Sequence, residues 1–305
     1  MIQSFEAMAE AIRKSGAQKL SVAVAQDDDV LLAVHHAAEA GIADPILVGD
    51  REKILEVAAH CGVPAEKYEI VDVKDVTEAS AEAVRLIREG KAAALMKGMV
   101  PTATILKAVL NKETGIRSGK TISHLSAFYW EKQKRFIFLT DVAICIAPDL
   151  EQKQALIENA VDALHLLGFE KPLVGCVCAV ENENPLMPAT VDAAELQRRS
   201  EAGLISGCVV GGPFALDNAV SVEEAQHKGI TGPVAGKADL LLLPDIEAGN
   251  IFYKSFTMIA EWEGAGVVLG AKAPMILTSR SDSDNTKFQS ICMALYMAMQ
   301  KNKNN

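Results

Sequence analysis

The chain is 305 residues long, half of them hydrophobic but only 5% aromatic, and it carries a formal net charge of −10. That length calls for two α/β lobes or one large α/β unit, and the acidic balance, with no basic stripe or aromatic platform, argues against a nucleic-acid binder. The longest apolar runs are too short to cross a bilayer. The N-terminal MIQSFEAMAEAIRKSG reads as an amphipathic helix containing acids, not a signal peptide, so the expectation is a cytoplasmic protein.

In chain order, strand and helix patterns alternate. KLSVAVA is a strand of small and β-branched residues, and DDVLLAVHHAAEAG a helix that stops at Gly41. PILVG, REKILEVAAHCG, YEIVDV and TEASAEAVRLIREG repeat the pair twice; AAALMKG and PTATILKAVLN follow, with Pro101 in the first turn. Short strands separated by helices predict a mainly parallel sheet with flanking helices. GIRSGK then marks a lobe boundary, and ISHLSAFYW and RFIFLTDVAI, joined by EKQK, form an antiparallel hairpin. Alternation resumes at EQKQALIENAVDALHLLG and runs to PMILTS. A last helix follows, with Phe288, Ile291, Cys292, Leu295 and Met299 on one face. The boundaries so read are 1–120 with 271–305 for a discontinuous first lobe, and 121–270 for the second.

The six cysteines show no zinc or redox spacing, and the adjacent His35 and His36 point apart on a helix, so no metal site is expected. Ligands of open α/β sheets bind beyond the carboxyl ends of the strands, and four such ends are polar. Lys97-Gly98 lead into a helix with Thr102, Thr104 and Lys107. ENENPLMPAT, with Asn184, follows GCVCAV; DIEAGNIFYK, with Asn250 and Lys254, follows DLLLLP. TSRSDSD follows PMIL and sets Arg280 between Ser279 and Ser281 at a helix start, where unpaired N–H groups and a guanidinium fork suit phosphate or carboxylate. The purely structural alternatives are surface lysines, Asn250 as an N-cap, Ser283 or Asp284 as the cap of the last helix, a tight turn at Gly211-Gly212-Pro213, and solvated charge at Glu181, Glu183 and Asp192. With no GxGxxG, nucleophile elbow or HExxH, the residues by themselves indicate a cytoplasmic α/β enzyme acting on a phosphorylated or otherwise anionic small molecule.

Four stretches, LMKGMVPTATILKAVL, CAVENENPLMPATVDAAEL, GGPFALDNAVSVEEAQHKGITGPVAGKADLLLLPDIEAGNIFYKS and PMILTSRSDSD, resemble the phosphotransacylase family in order and over nearly the whole chain. The butyryl branch is the more similar. The resemblance implies a two-lobed fold like that of the isocitrate and isopropylmalate dehydrogenases, with a cleft between lobes, and a homodimer formed through the second lobe. It implies acyl transfer between coenzyme A and inorganic phosphate, with CoA as substrate and no cofactor. Arg280 would then hold the phosphate oxygens and Ser279 would donate to the tetrahedral oxyanion. The acetyl branch places a base six residues after that arginine, where this chain has Thr286; Asp282 and His124 are the candidates instead. It also places an arginine where this chain has Lys107, which keeps the charge and loses the fork. Alternatives are an acetyl- or branched-chain-specific member, a metal- and NAD-dependent decarboxylating dehydrogenase hinted at by Asp282 and Asp284, and a CoA or acyl-phosphate sensor without turnover.

Overall fold

A computed structural model describes residues 2–279 and 282–304, which form two compact units. A split unit holds Ser4–Lys120 and Glu263–Asn305; an inserted unit holds Thr121–Trp262 together with Ile2 and Gln3. Each is α/β. Among the described residues no helix is long and apolar enough to cross a membrane.

The split unit begins with α1 (Phe5–Ser15), β1 (Gln18–Ala23), α2 (Asp28–Glu39), β2 (Ala43–Gly49), α3 (Arg51–Cys61), β3 (Glu69–Asp72), α4 (Val76–Arg88), β4 (Ala94–Lys97) and α5 (Thr102–Val109). The inserted unit contains β5 (Ser123–Trp130), β6 (Arg135–Thr140), α6 (Leu150–Leu166), β7 (Leu173–Val177), α7 (Pro188–Glu201), β8 (Val209–Phe214), α8 (Leu216–Val220), α9 (Val222–His227), β9 (Leu240–Leu242) and α10 (Ile246–Lys254). A π-helical turn, Ser255–Ile259, extends α10. The chain then re-enters the split unit as β10 (Gly264–Leu269), β11 (Met275–Ile276) and α11 (Asp284–Asn304).

Strands in the split unit run in the order β3-β2-β1-β4-β11-β10, parallel except for β10 against β11, where Val268 faces Met275. Residues 263–270, grouped by sequence with the second lobe, lie in the split unit: β10 pairs with β11, and the Gly266 N–H donates to Ser290 Oγ on α11. The last four residues of β1 and the first three of β4 are buried, as for strands covered on both faces. Sequence periodicity gives α11 one apolar face, but every residue from 290 to 299 is buried. The helix packs on β10 and also against α1 and α2, so its whole circumference is enclosed.

The inserted unit orders its strands β5-β6-β9-β7-β8; the β5–β6 hairpin is antiparallel and the remaining pairs are parallel. Its core gathers Phe128, Ile137, Leu139, Phe214, Leu241 and Tyr253. The edge strand β8 is covered from α7: Val210 N–H donates to Ser200 Oγ and Gly212 N–H to Gln197 Oε1. An edge strand is otherwise an open template for pairing.

Ser290 is fully buried, donates its hydroxyl to Thr286 O at 2.7 Å and accepts the Gly266 N–H at 2.9 Å. Ser290→Ala strands that buried N–H, so urea unfolding should show a loss of about 1–3 kcal/mol.

Candidate active site

In the split unit β1 and β4 are neighbours, with β2 and β3 lying beyond β1 and β11 and β10 beyond β4. Strand order reverses between them, and such switch points are where open sheets bind ligands. Lys97 closes β4 opposite Ala23. Gly98 follows at a close approach: its N–H donates to Ala23 O, and a Cβ on it would stand 2.2 Å from Val24 O. Only glycine fits there. The Lys97 ammonium folds over the strand–helix turn, 3.3 Å from both Gly98 O and Val100 O.

Helices that follow parallel strands bring four unpaired N–H groups to that edge of the sheet. Most are capped by a side chain: Asp27 on α2, Asp50 on α3, Asp75 on α4, Asp149 on α6 and Asp245 on α10. The Asp245 cap also excludes Asn250, which lies inside α10, as the N-cap. By contrast α5 starts at Pro101 and α7 at Met187 with no side-chain cap and no acid in the first turn. These two starts follow Lys97-Gly98 and ENENPLMP, two of the four polar strand ends. An uncapped, acid-free helix start is suited to an anion. Thr102 is exposed in the first turn of α5, whereas Lys107 lies in its last turn, about 7.5 Å farther along the axis.

After β11 the chain closes a turn. Ser279 N–H donates to Asp282 Oδ2 at 2.7 Å, and Asp282 N–H returns to Ser279 O at 3.1 Å. Arg280 lies outside the described residues. Ser283 caps α11 by accepting the Thr286 N–H, and its hydroxyl donates to Thr286 Oγ1 at 3.1 Å. Thr286 is thus a buried part of the cap.

In the inserted unit His124 and Asn250 converge on the loop after β6. His124 N–H donates to Asp141 Oδ2, and Asp141 Oδ1 accepts the N–H groups of Ala143 and Ile144. The Asn250 amide donates to Val142 O, and a Cβ on Gly249 would stand 2.2 Å from Asp141 O. The His124 ring is edge-on to Tyr253 and its Nδ1 is 3.3 Å from Ser126 Oγ. Lys254, at the end of α10, places its ammonium 5.5 Å from the Tyr253 ring centre. Asn184 builds the turn into α7, accepting the Leu186 N–H on its side chain. The acids read as solvated are paired: Glu181 with Lys228 and Asn218, Glu183 with Arg198, and Asp192 with the buried Lys153 at 2.6 Å.

Two contributors were not read from the sequence. Asp141 is 2% exposed yet holds three N–H groups; its signal was a carboxylate directly after RFIFLT, a strand that pairs parallel with β9. Lys287, also 2% exposed, sits in the stripe Lys287, Ile291, Ala294, Ala298, a charge inside an apolar face.

None of the six cysteines is placed as a nucleophile. Burial pushes the thiols of Cys145, Cys178 and Cys208 up to about 11 and that of Cys292 to about 12, and raises Cys61 and Cys176 as well. The thiolate is the reactive form, so these side chains are poor attackers at neutral pH.

The sequence matches the family described as "Phosphate acetyl/butaryl transferase" over residues 4–84 and 73–295. It is 48% identical to the phosphate butyryltransferase of Clostridium acetobutylicum over 99% of this chain and all of that protein. It is 41% identical to the phosphate acetyltransferase of Thermotoga maritima over 96% of this chain and 99% of that one. Among solved structures, a branched-chain phosphotransacylase from Enterococcus faecalis superposes with a TM-score of 0.81 at 31% identity, covering 92% of this chain and 99% of that one. A 4-hydroxythreonine-4-phosphate dehydrogenase from Klebsiella pneumoniae shares the fold alone, with a TM-score of 0.53 at 14% identity over 92% of this chain and all of that one. The chain belongs to the phosphate acetyl/butyryl transferase family of acyltransferases.

Gly98→Ala drives a methyl into the Val24 carbonyl; thermal unfolding should register a loss of about 1–3 kcal/mol, and calorimetry should show weaker binding of inorganic phosphate. Replacing Cys145 or Cys178 with Ser should change turnover less than about twofold, since neither thiol is ionised at neutral pH.

Proposed function

We propose that this protein interconverts butyryl-CoA plus inorganic phosphate with butyryl phosphate plus CoA. The observation that carries the reading is 48% identity, end to end, with a phosphate butyryltransferase. The uncapped starts of α5 and α7 support it, because both substrates are rich in phosphate oxygens. In the direction of thioester synthesis the CoA thiolate attacks the acyl phosphate carbonyl in a ternary complex. The S–C bond forms, charge develops on the carbonyl oxygen, and the C–O bond to phosphate breaks as that oxyanion collapses. No enzyme nucleophile is required, which fits the raised thiols. Lys97, Gly98, Thr102 and the α5 start, with Arg280, bind the phosphate that leaves the acyl group; Ser279 donates to the oxyanion. Lys107, Asn184, Asn250 and Lys254 serve substrate binding along the CoA path. The rate comes from holding two substrates together and from stabilising charge.

Two residues of the set can take the thiol proton. Asp282 is already engaged by the Ser279 N–H. We assign the proton to His124, whose imidazole can act as a general base. CoA enters as a substrate, and neither a metal nor another cofactor takes part. The enzyme works as a cytoplasmic homodimer; the exposed Ile251, Met258 and Ile259 of the inserted unit supply apolar surface for such a contact.

The acyl group is read as butyryl because identity to the clostridial butyryltransferase, 48%, exceeds that to the Thermotoga acetyltransferase, 41%. One methylene is worth only about 1–3 kcal/mol in an apolar pocket, so neighbouring chain lengths should also react. Free-thiol release from acetyl-, propionyl-, butyryl-, isobutyryl- and isovaleryl-CoA, with phosphate and without added metal, should depend on phosphate and peak at four or five carbons. A peak at acetyl would keep the reaction and overturn the branch; CoA binding without release would indicate a sensor. Arg280→Ala should cut turnover by at least about 100-fold with the fold intact by circular dichroism. His124→Gln should lower turnover about 10²-fold with the fold intact by circular dichroism.

A further inference from the structure

Lys287 is 2% exposed, yet its position in the first turn of α11 neither fills the core as an aliphatic side chain would nor caps the helix, which Ser283 does. A buried ammonium has lost its hydration and must be repaid by acceptors. Lys287 Nζ finds two. It donates to the main-chain oxygen of Asp282 at 2.5 Å and to Asp29 Oδ2 at 3.4 Å. Asp29 lies in the first turn of α2, the helix that follows β1, and its side chain is half exposed. The lysine's own N–H stays in the helix ladder, on Ser283 O. Its side chain therefore reaches back past the start of α11 to a carbonyl outside the helix and fastens it to α2.

That carbonyl belongs to the turn after β11. Asp282 is tied to Ser279 through both its N–H and its carboxylate. What fixes Asp282 fixes Ser279. We infer that Lys287 is a positioning residue: anchored by Asp29, its buried ammonium pins the Asp282 carbonyl and thereby holds Ser279 where it meets the acyl oxygen. The catalytic part of this role rests on the acyl-transfer reading above. A charge is used because a hydrogen bond from an ammonium to a carbonyl is shorter and stronger than a neutral one. Reacting groups tolerate little misplacement, about 1 Å costing 10²-fold in rate.

The test combines kinetics with amide hydrogen exchange on full-length protein. Lys287→Met should lower kcat about 30-fold while KM for butyryl-CoA and phosphate moves less than about threefold. In the same variant the Ser279 and Asp282 amides should exchange faster, with residues 290–299 still protected. Asp29→Asn, a change at a half-exposed site, should lower kcat about threefold, and the double variant should be no slower than Lys287→Met alone, because both act through one chain of contacts. Normal kcat with a lowered Tm in Lys287→Met would make the lysine a stabiliser of the fold and overturn the positioning role. Unchanged exchange at Ser279 and Asp282 would overturn the clamp itself. If Lys287→Met does not fold, Asp29→Asn decides by the same readouts, normal kcat and exchange refuting the role. A wild-type protein that releases no thiol would refute the transfer reaction; the exchange experiment would still decide the clamp.

Discussion

A parallel strand that runs into a helix delivers unpaired backbone N–H groups to the carboxyl edge of its sheet, and those groups have to be satisfied by something. In this chain, aspartates satisfy α2, α3, α4, α6 and α10. The starts of α5 and α7 have no such side chain. Without an acidic cap, those starts keep a positive field that an anionic substrate can use. Placement does the rest: α5 opens at the switch between β1 and β4, where Gly98 lets the backbone pass within contact of Val24 O.

The same economy extends to the chemistry. An acyl phosphate is already activated and a CoA thiolate is already a good nucleophile, so the protein need not supply a reactive side chain of its own. Its cysteines are dispersed through apolar surroundings that suppress ionisation. Its buried charges are used for geometry: Asp141 draws His124, Ala143 and Ile144 onto one carboxylate, and Lys287 joins the first turns of two helices. Such groups are costly to bury singly and are tolerated because each is paired.

Regular elements were legible in the sequence because their signals are local. Alternating strand and helix periods mark β1 to α5, and EKQK marks the β5–β6 hairpin. Elements with too few residues to show a period were not: α8 and α9 are five and six residues long. The choice of cap on α11 was open between Ser283 and Asp284; geometry selects Ser283 because its hydroxyl accepts the Thr286 N–H. Lys97 and Gly98 could be found because they follow a strand directly. Lys287 could not be, since its meaning depends on Asp29, 258 residues away; for Asp141 the strand-end position was a signal, but its bond to His124 spans 17 residues. Asn184, likewise at a strand end, also shapes the turn into α7 with its side chain.

The covered edge of β8 limits how this protein can associate. Its outward N–H groups at Val210 and Gly212 are occupied by Ser200 and Gln197, and Pro213 has none to offer. A foreign strand laid along that edge would present donors but receive none in exchange, so it could not extend the sheet. Copies that meet at the β8 edge must therefore meet by side chains. The chain can be crowded to high concentration without its β8 edge templating a growing ribbon of strands.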